Sequence, residues 1–154
     1  MTYDTLGNAV ANRDIAGNYS YKVYSKDGHV LFEVDTQGYV TGYEYTAFGE
    51  VRKLTRYAAQ TGLLNDPSTK SASGLTLEAV QKALTTDAAG NPVDHSADRT
   101  ITSTYDHAGR VKLSVESAAF YFDTNAASVV NNGVAGKTVR NDYNAFGDLI
   151  RTST

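Results

Sequence analysis

The chain has 154 residues, 41% of them hydrophobic, a net charge of −3 and no cysteine. That is enough for a domain with a core, and it excludes a disulfide framework and a thiolate metal site. With no basic stripe and no apolar run near the ~20 residues of a spanning helix, nucleic acid is not expected as a partner and no membrane span is expected.

In chain order, the first signal is a repeat. Gly7, Gly17, Gly28, Gly38 and Gly49 are separated by steps of ten, eleven, ten and eleven, so equivalent glycines recur every 21 residues. An aspartate stands three residues ahead in Asp4-Thr-Leu-Gly7, Asp14-Ile-Ala-Gly17 and Asp35-Thr-Gln-Gly38, and again in Asp87-Ala-Ala-Gly90 and Asp106-His-Ala-Gly109. Ser25-Lys-Asp27-Gly28, Thr46-Ala-Phe-Gly49 and Asn144-Ala-Phe-Gly147 keep the outline with other residues. An Asp or Asn side chain accepts hydrogen bonds from the backbone that follows it, while Gly takes the positive-φ position that closes a hairpin, so each of these segments predicts a turn.

Between turns lie short alternating stretches, among them Tyr19–Val23, Val30–Val34, Tyr39–Tyr45 and Val111–Val115. Each has one apolar or aromatic side and one largely polar side, the pattern of a half-buried strand. Eleven tyrosines, five phenylalanines and no tryptophan suit such half-wet sheet faces. The expected fold is all-β, a twisted sheet of consecutive antiparallel β-hairpins. Its expected divisions are hairpins over 1–57, an inserted loop-helix segment over 58–98 and further hairpins over 99–154, together one structural unit.

The insert carries Leu77, Val80 and Leu84 at helical spacing behind Thr76, a good N-cap. A helix this short needs a sheet face to rest on. Asn65–Gly74 and Asp87–Pro92 read as exposed loops, and a second irregular stretch spans 124–137.

Written as Tyr-Asp-x-x-Gly, the turn resembles the bacterial YD-repeat, or RHS-repeat, family. Tyr3-Asp4-Thr-Leu-Gly7, Tyr105-Asp106-His-Ala-Gly109 and the degenerate Tyr45-Thr-Ala-Phe-Gly49 and Tyr143-Asn-Ala-Phe-Gly147 carry the likeness, which covers roughly residues 1–57 and 99–154. The resemblance implies a secreted or cell-surface bacterial protein whose repeats spiral into a hollow shell, enclosing a toxin polypeptide in toxin complexes and forming an adhesion barrel in the related teneurins. The family's self-cleaving aspartyl block has no counterpart here; Asn65-Asp66-Pro67 is only a faint echo. The opening Met1-Thr2-Tyr3-Asp4 runs directly into a turn with no leader pattern, so an internal piece of a longer protein is expected.

No catalytic, cofactor or metal residues are assigned. His29, His95 and His107 sit in or beside different turns, away from ligand spacing, and read as solvent-facing turn residues. The recurrent aspartates lack calcium-loop spacing. Ser20, Ser103 and Ser117 lie in strand patterns, so an enzyme is not expected. Asn18-Tyr-Ser20 matches the glycosylation sequon. Tyr19, Tyr21, Tyr24, Tyr39, Tyr43 and Tyr45 are either a packing layer or, if exposed, a face for glycan or protein. Open strand edges at both ends predict pairing with further repeats of the same or a neighbouring chain, or growth into a fibre.

Overall fold

The structure is a computed structural model, and it describes residues 1–64, 74–117 and 136–154. The expected Asn65-Asp66-Pro67 echo, most of the loop before the helix and nearly all of the 124–137 irregularity lie outside the described residues.

Ten strands form an antiparallel sheet in chain order: β1 (Thr2–Tyr3), β2 (Ala9–Arg13), β3 (Tyr19–Tyr24), β4 (Val30–Val34), β5 (Val40–Tyr45), β6 (Val51–Arg56), β7 (Arg99–Tyr105), β8 (Val111–Glu116), β9 (Thr138–Tyr143) and β10 (Leu149–Ser153). One helix, α1, spans Leu77–Thr85. The all-β sheet of hairpins with one inserted helix is therefore present. The chain divides into two compact units. One compact unit comprises Met1–Glu44 with Arg56–Asp98, and the other Tyr45–Thr55 with Arg99–Thr154.

In the first unit, cross-strand pairing aligns Ala11 with Tyr21, Tyr21 with Val34, and Val34 with Val40. Alternation puts these residues and Val23 on one side of the strands, and all five are buried. The insert belongs to this unit because it supplies the cover: Leu63, Leu64, Val80 and Leu84 complete the same buried cluster. Thr76 caps α1 as expected, its side chain accepting from the Ala79 N–H at 3.2 Å. Leu77 does not join the core and is 38% exposed. The buried stripe is centred on Val80 and Leu84, with Ala79 and Ala83 packed beside them, which leaves Leu77 in the first turn at the rim.

The insert is anchored by backbone as well as packing. After β6 the Tyr57 N–H donates to the Val40 carbonyl at 3.0 Å, and both the N–H and the hydroxyl of Thr61 donate to the Gly38 carbonyl, at 3.0 and 2.6 Å. Gly38 is needed twice over. Its φ is +92°, and a Cβ there would lie 2.9 Å from the Thr61 carbonyl oxygen.

The second unit is built differently. Leu113 faces Arg140 and Thr104 faces Leu113, yet none of the nine buried hydrophobic residues belongs to this unit. Among the described residues it is held by strand ladders, turn caps and tyrosine hydroxyls, not by a buried apolar layer.

Candidate functional surface: turns and tyrosine rungs

Each predicted turn is a chain reversal built the same way. In all eight, the residue at position i takes the N–H of the glycine at i+3 on its own carbonyl, at 3.0–3.1 Å, and donates its N–H to the carbonyl of residue i+4, at 2.8–3.0 Å. Its side-chain oxygen accepts the N–H of residue i+4. Asp4, Asp14, Asp35, Asp87, Asp106 and Asn144 do so at 2.8–3.0 Å, Ser25 at 3.1 Å and Thr46 at 3.2 Å. Gly7, Gly17, Gly28, Gly38, Gly49, Gly90, Gly109 and Gly147 all have positive φ, the three-residue hairpin loop with glycine in the left-handed position. Asp27 lies at the tip of its turn, and Ser25 performs the capping.

Hydrogen bonds from residue i+4 hold the carboxyls of Asp4, Asp14 and Asp87 below the usual carboxylate range. At Asp106 the partner at i+4 is the Arg110 guanidinium, 2.7 Å away, and the carboxyl is pulled down to about 2. Arg110 also sits over the Tyr143 ring, 4.4 Å from its centroid.

The turns are of two kinds, which alternate over the first four. Those after Tyr3, Tyr24, Tyr105 and Tyr143 are followed by a break in register, with one residue skipped: Val10, Leu31, Lys112 and Ile150 respectively. The turns after Arg13 and Val34 pair without a skip. This accounts for the odd period. Twenty-one residues would flip every side chain to the other face one repeat later, and one bulged residue per period restores the alternation.

At the bulged turns the preceding tyrosine makes a recurrent bond. The Tyr24 hydroxyl donates to the Ala9 carbonyl at 3.1 Å, Tyr105 to Val51 at 2.7 Å and Tyr143 to Val111 at 2.9 Å. Ala9, Val51 and Val111 each stand two residues after a turn glycine, so the acceptor is the same position after the turn in each case. Each tyrosine is thus a rung tying its own hairpin to the strand beside it.

No protein-family model and no curated protein matches this chain.

The six tyrosines named from the sequence do not form one exposed stripe. Tyr21 is fully buried and Tyr19 stacks on it, ring centroids 6.0 Å apart. Tyr24 is a rung. Alternation along β5 sets Tyr43 and Tyr45 opposite Val40 and Gly42, and the Tyr43 hydroxyl donates to Glu33, which also pairs with Lys22 at 2.7 Å. Only Tyr39 counts as exposed, at 40%.

His95 is exposed, its side chain 44% accessible, and both ring nitrogens have partners. Its Nδ1 lies 2.7 Å from the Asp98 carboxylate and its Nε2 2.8 Å from the Leu84 carbonyl. Asp98 also accepts the Ala58 N–H at 2.8 Å, and the Tyr57 ring meets the imidazole edge-on. Burial, then the charges of Asp98 and Glu44, push the Tyr57 phenol up. This polar clamp ties the end of α1 to both ends of the insert. It borders an open cleft of about 470 Å³ lined also by Thr61, Leu84 and Asp87. A second cleft, about 640 Å³, lies in the other unit between the turns at Thr46–Gly49 and Asp106–Gly109. Among the described residues, no three His, Asp or Glu side chains converge on a metal-sized space.

Sequence reasoning missed the rung acceptors, which are backbone carbonyls and carry no residue signature. It also missed the exposed apolar turn tips: Phe48 is 91% and Phe146 93% exposed. Both were visible as Ala-Phe-Gly, read only as degenerate turns.

Proposed function

We propose that this chain is a non-catalytic structural segment of a YD-repeat protein, secreted or at the bacterial cell surface, whose hairpins build the wall of a β-sheet shell or scaffold. The observation that supports this most is the rung. Tyr24, Tyr105 and Tyr143, each standing just before a turn, tie their hairpins to the strand beside them by the same hydroxyl-to-carbonyl bond, to the residue two after a turn glycine. Polar side chains in the turns are likewise committed to backbone capping, and the His95 clamp to holding the insert. The sheet of a repeat protein stabilises each copy through its neighbours, so its function is extension. Further repeats are the expected partners along the sheet edges, and an enclosed toxin polypeptide is the cargo that the family likeness implies.

The test is modularity. By position after the turn glycine, Ser153 corresponds to Arg13, so a second copy of residues 14–34 placed after Ser153 continues the period. In the lengthened chain the backbone amides of β10 should exchange at least about tenfold more slowly than in the parent. An added period that is cleaved by protease like unfolded chain, with β10 exchange unchanged, overturns the scaffold reading.

A further inference from the structure

Both nitrogens of the His95 ring face acceptors, the Asp98 carboxylate at 2.7 Å from Nδ1 and the Leu84 carbonyl at 2.8 Å from Nε2. A neutral imidazole carries one N–H, so it serves one of these partners and turns a lone pair toward the other. The imidazolium carries two and serves both. Leu84 stands next to the last residue of α1, where the helix itself supplies no donor for its carbonyl. The ring therefore acts as a C-terminal cap, and a positive charge there complements the helix dipole. On its other side the partner is fixed, because the Asp98 side chain is 9% exposed and also accepts the Ala58 N–H at 2.8 Å.

We propose that the His95 clamp is a protonation-dependent latch on the end of α1, closed while the ring carries both protons and short of one bond when it carries one. The charges around it suit the cation. Asp94 is its neighbour in sequence, held as a carboxylate chiefly by bonds from Ser96 and further by a charge on His95. Tyr57 meets the imidazole edge-on, and the charge of Glu44 on β5 reaches that phenol. Asp87 lines the same cleft, while α1 adds one exposed cation in its last turn, Lys82. Tyr57, Leu84 and His95 all line the cleft of about 470 Å³, so the same proton holds its wall in place. The proton belongs to the closed form. The latch is thus at full strength below the range in which histidines change charge, about pH 5–8, and weakens as pH rises through it, opposite in sign to the turn aspartates.

Amide exchange of the full chain, corrected for the intrinsic rate at each pH, tests this. Between pH 5 and pH 8 the amides of the last turn of α1 and of Ala58 should lose about three- to tenfold in protection, the worth of one hydrogen bond. His95→Gln should abolish that change, with protection at pH 5 already down to the parent's level at pH 8. His29→Gln and His107→Gln should retain it. In proton spectra of the parent, both ring N–H signals of His95 should be seen at pH 5 and one of them lost by pH 8, a readout that needs no substitution to fold. Protection that stays flat in the parent, a fall that survives His95→Gln, or the absence of both ring N–H signals at pH 5 each overturns the latch. The latch needs only the first unit, so its failure leaves the scaffold reading standing.

Discussion

Removing one oxygen from each rung tyrosine tests whether the hydroxyls hold the hairpins together. The Phe substitutions keep the ring and its packing, so each measures the bond alone. At Tyr105 the acceptor is the Val51 carbonyl, which takes no other side-chain donor among the described residues, so Tyr105→Phe leaves it without that partner. At Tyr143 the Val111 carbonyl also accepts from the Asn141 side-chain amide at 3.1 Å, which remains after the substitution. A net protein hydrogen bond is worth about 0.5–1.5 kcal/mol, with the higher figure where an acceptor is left unmet. Tyr105→Phe should therefore cost about 1–1.5 kcal/mol and Tyr143→Phe about 0.5. Tyr39→Phe is the control: its hydroxyl makes no hydrogen bond among the described residues, and the expected change is near zero. Urea titrations give the free energies, and amide exchange in β6–β9 shows that the loss is in the second unit. A cost at Tyr39 matching that at Tyr105, or a larger loss at Tyr143 than at Tyr105, refutes the rung.

Gly38→Ala should destabilise more than Gly28→Ala by about 1–3 kcal/mol. Both glycines have positive φ, but only at Gly38 does the added methyl meet a backbone oxygen, and thermal melts of the two variants give the difference. Val80→Ala, at a side chain with no exposure, should cost about 2 kcal/mol from two lost carbons and the space they leave, read by chemical denaturation as loosening of the first unit. Acid should weaken the hairpins. The carboxyls of Asp4, Asp14, Asp87 and Asp106 are held low in the folded chain, so their contribution is present above the ordinary carboxylate range and is lost as pH falls through their lowered values, reaching about 2 at Asp106. Asp106→Asn should fold, as Asn144 caps its own turn, and amide exchange in the 105–111 hairpin should then change less between pH 4 and 2 than in the parent.

The turns were readable because their chemistry is local. Position i, glycine at i+3 and the partner at i+4 meet within one reversal, so spacing alone predicts the bonds. The rungs were not, since Tyr105 and Val51 are 54 residues apart and the acceptor is main chain. The bulges had left a trace in the odd period, but which strand carries the skipped residue depends on how its neighbours align. His95 shows the same limit. Its place beside a turn predicted its exposure but not its partners, because Leu84 and Asp98 reach it only once α1 has docked.

The amino-acid order by itself determined where the chain reverses, that the stretches between reversals are strands, and that one short capped helix interrupts them, because each of these follows from bonds and periodicities within a few residues. Tertiary structure alone decided which side of the strands the helix covers and which tyrosines are buried, stacked or used as rungs. Those outcomes arise from pairing between distant strands, where burial and register are set by neighbours and not by the residue itself.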